Sequence, residues 1–209
     1  MTDATVQALS VLRQTDNMQW YVVPLLILVA YVYSVEIKQK NWGTVCMGIS
    51  LWGSQYLLDI FNSLVLHFTG RAPLWCTPFK SAFVIYVGVN IEITLLFAIG
   101  GIVIINALPE DKNLKILGVP NRILLPIAFG LGATFIEVLL NRCNLLIWDW
   151  WFWNWPNIYL IVITYSTGLY FFVWCHDNLS LKAKARMAVI IPAVAFVCHM
   201  IFAVVLKWA

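Results

Sequence analysis

Three acidic side chains, Asp59, Glu92 and Glu137, lie within long apolar stretches of the sequence. Ionisable groups inside apolar membrane segments are costly and usually mark a functional site. No Lys or Arg lies in the middle of these stretches to neutralise the acids. At least one of them is therefore expected to hold a proton, because burial and neighbouring like charge disfavour the ionised form. Such a carboxyl would serve as a general acid at neutral pH.

Polar and aromatic side chains recur at helical spacing around two of these acids. Steps of three and seven residues from Asp59 reach Trp52, Tyr56 and Asn62, and a step of four from Glu137 reaches Asn141. Residues at these spacings share one face of a helix. This pattern predicts a shared polar interior, although interhelical hydrogen bonding without any catalytic role remains an alternative for each acid.

Five Trp residues fall within the eight positions 148–155. Trp is common at membrane interfaces, so an aromatic belt is one interpretation. The other is a lid whose ring faces shield a cation. We predict catalytic roles for Asp59, Glu92 and Glu137. The predicted substrate-binding residues are Trp52, Tyr56, Asn62, Asn141, Trp148, Trp151, Tyr159, Tyr170 and His199.

The composition places these residues in a membrane protein. Of the 209 residues, 62% are hydrophobic and 11% are charged, with a mean hydropathy of +0.83. Soluble domains carry about 25% charged residues. The net charge is only +3, and the basic residues are scattered rather than gathered on a phosphate-binding face. The sequence therefore excludes a soluble enzyme, a disordered tail and a nucleic-acid-binding module.

Six windows match the roughly 20 apolar residues that a helix needs to cross a bilayer. They are residues 20–34, 42–68, 81–108, 123–143, 156–174 and 187–205. We predict an all-α polytopic bundle of about six transmembrane helices, or seven, in a single domain spanning residues 1–209. Glu92 falls near the middle of its window, whereas Asp59 and Glu137 lie between the middle and one face.

The loops at one side of these windows carry eight Lys and Arg residues and those at the other side carry five. The positive-inside rule then places both termini outside. The predicted location is a multi-pass protein of the plasma or endoplasmic reticulum membrane. The predicted partners are the lipid bilayer and a lipophilic isoprenoid substrate, with no nucleic acid.

The sequence lacks the motifs of several classes of enzyme. The sequence has no G-x-S-x-G or H-E-x-x-H motif, no P-loop and no aspartate-rich run. Its three His are dispersed, and its five Cys include no C-x-x-C pair, so we predict no metal and no cofactor. The chemistry that is still compatible with the sequence is acid–base catalysis on an apolar substrate.

Two stretches resemble known families. The stretch from Lys38 to Asp59, with Lys-Gln-Lys-Asn-Trp-Gly, Trp52 and Tyr56-Leu-Leu-Asp59, resembles the small integral-membrane terpene cyclases of fungal meroterpenoid and indole-diterpene pathways. That resemblance implies that Asp59 protonates an epoxide or alkene without metal, although the family usually has Glu there and about seven spans. The stretch from Glu137 through Trp148-Asp-Trp to Trp155-Pro resembles membrane carotenoid hydratases, which add water across an isoprenoid double bond.

Three functions are therefore compatible with the sequence. The first is a membrane-embedded isoprenoid cyclase or hydratase that stabilises a carbocation with aromatic rings. The second is a proton-coupled transporter that uses the same acids as a relay. The third is a structural or lipid-binding scaffold. An enclosed, mostly apolar cavity with the acids on its wall, open laterally to lipid, would favour the enzyme. A polar path that crosses the whole membrane would favour transport, and acids bonded to backbone without any cavity would favour the scaffold.

Overall fold

The computed structural model describes residues 1–209, and 67% of them are helical. The helices are α1 (Asp3–Ser10), α2 (Val22–Lys38), α3 (Trp42–Thr69), α4 (Ile91–Asn106), α5 (Asn121–Arg142), α6 (Tyr159–Asn178) and α7 (Leu181–Cys198). A π-helical segment, His199–Val205, continues α7, and a 3-10 turn covers Trp151–Trp153. Two antiparallel hairpins pair β1 (Val84–Tyr86) with β2 (Val89–Asn90) and β3 (Lys115–Ile116) with β4 (Val119–Pro120).

Three helices are long and apolar enough to cross a membrane. They are α5, α6 and the continuous helix Leu181–Val205 formed by α7 and its π-helical extension. The helix α4 is apolar but has 16 residues, and α2 has 17. The helical membrane class predicted from the sequence is thus confirmed, whereas the count of six spans stays a prediction.

The third predicted window, residues 81–108, is not one helix. Its first part forms the β1–β2 hairpin, whose Val-Ile-Tyr and Val residues favour extended backbone. The side chain of Asn90 then caps α4 by accepting a hydrogen bond from the Ile93 N–H at 2.9 Å. Glu92 consequently lies in the first turn of α4, and its predicted place near the middle of a span is wrong.

The helices form two groups. In one, α3 packs against both α4 and α7; in the other, α5 packs along α6. Small residues permit the close approaches: a Cβ on Gly101 would lie 2.9 Å from the Gly48 Cα, and one on Gly130 would lie 2.9 Å from the Ser166 backbone N. The helices α3 and α5 hardly touch each other. Because α3 and α5 make few contacts, a site at the junction between the two groups would take residues from both of them.

One end of the bundle carries the Lys-rich loops at residues 36–41, 107–122 and 176–186, and we call it the basic end. Next to it, α3, α4 and α6 share an apolar cluster. This apolar cluster consists of Met47, Ile104, Ile105, Leu169, Phe172, Val173 and Cys175. Because its members are all buried, it fills the half of the junction nearest the basic end with hydrocarbon.

The opposite end is covered by α1, residues 70–90, residues 143–158 and the C-terminal residues, which we call the aromatic cap. The Thr2 hydroxyl donates to the Asp149 carboxylate at 2.7 Å, and the Trp150 indole N–H donates to the Ala72 carbonyl at 3.0 Å. Cys76 pairs through its backbone with Ile147. These contacts tie distant segments into one layer over the helix ends.

Candidate functional site

Asp59 projects from the cap-side half of α3 and is 3% exposed. Gln55, one turn earlier, donates its amide N–H to Asp59 Oδ2 at 2.5 Å. The Trp75 indole N–H, from the aromatic cap, donates to Asp59 Oδ1 at 3.3 Å. Both oxygens of this buried carboxyl thus accept a hydrogen bond from an N–H group.

Glu137 projects from the cap-side half of α5 toward α6. The Tyr165 hydroxyl on α6 donates to Glu137 Oε1, and the other carboxyl oxygen accepts no hydrogen bond. The Trp148 indole lies beside the same carboxyl, although its N–H makes no hydrogen bond of ordinary geometry. The close approach at Gly130 holds α5 near enough to α6 for the tyrosine to reach the acid.

We call Asp59 and Glu137 the carboxyl pair. The charge of Glu137 contributes to the electrostatic environment of Asp59, and the Tyr165 hydroxyl, which donates to Glu137, is affected by the charges of both acids. All the ion pairs of the chain involve Asp177, so neither acid has a cationic partner. Two neighbouring carboxyls without a counterion readily share a proton.

Trp75 is held in place by Asn62. The Asn62 side chain is completely buried; it donates to the Trp75 carbonyl at 2.7 Å and accepts from the backbone N–H groups of Leu74 at 2.7 Å and Trp75 at 3.4 Å. Gly88 lies directly against both side chains, and a Cβ there would lie 2.5 Å from the Trp75 indole nitrogen. The ring of Trp153 lies 6.2 Å from that of Trp75. Asp59 therefore depends on the cap for its environment.

Several buried polar atoms have hydrogen-bonding capacity that the protein does not use. Buried polar groups are normally hydrogen-bonded, so such a concentration is unusual. On α3 and α6 and in the Trp-rich segment they are Trp52 Nε1, Gln55 Oε1, Ser63 Oγ, Trp148 Nε1, Trp153 Nε1 and Ser166 Oγ. They provide donors and acceptors for a polar group of a ligand near the carboxyl pair.

The structure separates Glu92 from the other two predicted catalytic residues. Its carboxyl accepts from the Tyr21 hydroxyl and, at 3.2 Å, from the Ala82 backbone N–H. It shares no hydrogen-bonding partner with Asp59 or Glu137. This arrangement fixes the start of α4 against the segment that leads into α2.

The remaining predicted substrate-binding residues fall into three sets. Trp148 lies at the carboxyl pair. Trp52, Tyr56 and His199 belong to a neighbouring aromatic group in which the Tyr86 hydroxyl lies 2.6 Å from His199 Nδ1. Asn62 and Asn141 bond to backbone groups, Asn141 to the Leu146 carbonyl at 3.0 Å. The outward-facing residues are Trp151, Tyr159 and Tyr170, which are 74%, 54% and 47% exposed.

Trp75, Trp153 and Tyr165 are not among the site residues predicted from the sequence. Trp75 and Trp153 lie in irregular segments, where helical spacing carries no information. Tyr165 lies one turn from Ile161, whose side chain is completely buried. The spacing of these two residues indicates a shared face of α6, but it does not indicate that this face meets Glu137.

Comparison with known proteins places the chain in a membrane setting. The model of an uncharacterized membrane protein family matches residues 2–204. A relative from Archaeoglobus fulgidus, described as an uncharacterized protein, is 38% identical over 209 residues, covering 99% of each chain. No solved structure matches. The resemblance to terpene cyclases and carotenoid hydratases is therefore wrong: the match over nearly the whole chain is to a different family, and the short stretches that suggested those enzymes are not diagnostic.

Proposed function

The chain belongs to this membrane protein family, and within that setting we propose that it is an enzyme that transfers protons to and from a lipid-soluble substrate. The carboxyl pair carries the proposal. Asp59 and Glu137 come from helices that hardly touch, yet the charge of Glu137 reaches Asp59, and neither acid has a cationic partner. Paired carboxyls in different environments are a common way to provide an acid and a base at one site.

The hydrogen bonds suggest different roles for the two acids. Asp59 accepts N–H donors at both oxygens, as an ionised carboxylate does, so we assign it the role of base. Glu137 has one oxygen free of hydrogen bonds, which can carry the proton that an acid donates. The hydroxyl of Tyr165 lies close to both and orients Glu137. The indole faces of Trp75 and Trp148 would stabilise positive charge on a protonated substrate.

The surroundings of the carboxyl pair favour a substrate that arrives from the lipid. The aromatic cap covers one end of the junction, and the apolar cluster fills the other. We propose that the substrate approaches laterally, from the lipid beside α3 and α5. Leu58 on α3 is 55% exposed and Leu139 on α5 is 49% exposed, so both helices present apolar surface at the level of the acids. A water-soluble substrate would gain no free energy from contact with this apolar surface.

The test uses deuterium. The purified protein in detergent is incubated with membrane lipid extract in D2O buffer, and the lipids are analysed by mass spectrometry for deuterium at carbon. We expect incorporation by the wild type and a loss of about 10²–10⁴-fold in Asp59→Asn and Glu137→Gln, since general acid–base groups contribute that much. The matched control is Glu92→Gln, which should keep its activity. Incorporation at the wild-type rate by both variants would overturn the proposal.

Proton-coupled transport would use the same acids as a relay. It requires a polar path through both halves of the bundle, and the apolar cluster occupies the half next to the basic end. We therefore favour the enzyme. Proton uptake into proteoliposomes that disappears in Asp59→Asn, without any deuterated lipid, would reverse this preference.

A further inference from the structure

A second charged cluster, independent of the carboxyl pair, lies at the basic end around Asp177. Arg122 Nε donates to Asp177 Oδ2 at 2.7 Å, and Lys112 Nζ lies 3.5 Å from Oδ1. His176 Nδ1 lies 3.3 Å from the same oxygen, and Lys184 lies close enough to feel its charge. Arg122 on α5 and Lys112 in the α4–α5 loop thus contact this carboxylate, and Lys184 on α7 adds positive charge at longer range.

The positive charge of this cluster is not neutralised by its neighbours. The other acids at the basic end are Glu110 and Asp111, which are exposed, and Glu36, whose carboxylate already accepts from Asn41 and Asn106. Across the whole end, eight Lys and Arg residues face four acidic ones. An anion bound near Asp177 would therefore enter a field of net positive charge.

Within this positively charged region, Arg122 retains hydrogen-bond donors that have no acceptor in the protein. Its Nη1 donates to the Pro109 carbonyl at 2.9 Å and to Asn121 Oδ1 at 2.5 Å, while its Nε bonds to Asp177. Its Nη2 bonds to no protein atom. The guanidinium is consequently fixed by three hydrogen bonds and presents the remaining N–H groups in a defined direction, which suits recognition of a phosphate oxygen.

A groove beside Arg122 joins this charged cluster to apolar surface. It has a volume of 90 Å³ and is lined by Arg122, Tyr170, Val173, Trp174, Asp177 and Asn178. Tyr170 and Trp174 are 47% and 46% exposed, and such half-exposed aromatic residues are typical of the level where lipid headgroups begin. The groove accommodates a group the size of a phosphate, not a nucleotide.

We propose that this groove binds the phosphate of an anionic lipid headgroup. Arg122 Nη2 contacts a phosphate oxygen, Lys112 and Lys184 supply the long-range attraction, and the acyl chains lie along Tyr170 and Trp174. The apolar side of the groove selects a lipid over free phosphate, since inorganic phosphate gains nothing from the aromatic residues.

The experiment measures how much lipid the detergent-purified protein retains by native mass spectrometry. The probes are phosphatidylglycerol, phosphatidylcholine and inorganic phosphate. We expect preferential retention of phosphatidylglycerol, weakened about five- to tenfold by Lys112→Gln or Arg122→Gln, as expected for one charge near a lipid surface. Lys112 is 56% exposed, so its variant keeps the fold even if Arg122→Gln does not. The matched control is Lys80→Gln, which removes an exposed charge at the opposite end.

Each outcome bears on the proposal. Selective retention that is lost in Lys112→Gln and kept in Lys80→Gln supports it. Equal retention of phosphatidylglycerol and phosphatidylcholine, or equal losses in the two lysine variants, overturns it. Retention of inorganic phosphate to the same extent as phosphatidylglycerol would also overturn it, because the ligand would then be a soluble phosphate.

Discussion

Replacing Asn62 with Ala should detach Trp75 from Asp59 and destabilise the aromatic cap. The wild-type side chain makes two short hydrogen bonds of 2.7 Å to the backbone of Leu74 and Trp75, and it is completely buried. The substitution leaves a buried carbonyl and a buried N–H without partners, each costing about 1–3 kcal/mol. We expect a total loss of roughly 2–6 kcal/mol, which for a chain of this size lowers the melting temperature by about 4–24 °C.

The assay combines thermal denaturation in detergent with labelling of Cys76. That thiol is 1% exposed, and burial, with the charge of Asp149, raises its pKa to about 12. In the wild type it is both protonated and inaccessible, so maleimide should not modify it at neutral pH. In Asn62→Ala the neighbouring segment loosens, and labelling of Cys76 should become measurable by peptide mass spectrometry.

The matched control is Asn141→Ala, which removes one hydrogen bond, to the Leu146 carbonyl at 3.0 Å. We expect it to cost only about 1 kcal/mol and to leave Cys76 protected. If Asn62→Ala melts at the same temperature as Asn141→Ala and Cys76 stays unreactive, Asn62 does not anchor the cap and the reasoning fails.

Three further predictions concern packing, pH and thiol chemistry. Gly130→Ala should force α5 away from α6 and cost about 1–3 kcal/mol, whereas Gly132→Ala, where a Cβ meets nothing within 4 Å, should be neutral; melting temperatures compare them. Burial, then the hydrogen bond and charge of Glu92, raise the pKa of Tyr21 above 10.0, so its contribution to stability is present below pH 10 and lost above it. Melting scans across pH 8–11 should show this loss in the wild type and not in Tyr21→Phe. Cys143, which is free and exposed, should react rapidly with maleimide, and a disulfide to it should be absent from non-reducing peptide maps.

The membrane class and the conspicuous position of two acids could be predicted from the sequence. Apolar composition decides the solvent that a chain requires, so the helical membrane class follows from it. Asp59 and Glu137 were recognisable because a carboxyl among apolar residues is conspicuous whatever its exact depth. Their proximity to each other, by contrast, depends on how α3, α5 and α6 pack, and the spacing along one helix does not specify that packing.

The hairpin before α4 shows where the sequence misleads. A continuous apolar run does not distinguish a buried helix from buried strands, so the pattern over residues 81–108 predicts a single span. The turn at Val87-Gly88 and the cap at Asn90 divide it. The same ambiguity led to the wrong prediction that Glu92 lies near the middle of a span. Trp75 could not be predicted at all, because its contact with Asp59 joins an irregular segment to a helix.

The apolar cluster next to the basic end has a consequence for the direction from which the acids exchange protons. Met47, Ile104, Phe172 and their neighbours form a layer that neither donates nor accepts hydrogen bonds through its side chains. We therefore expect protons to reach the carboxyl pair from the aromatic side. The two acids would then respond to the pH of one compartment, and the bundle could hold these carboxyls in an energised membrane without dissipating its proton gradient.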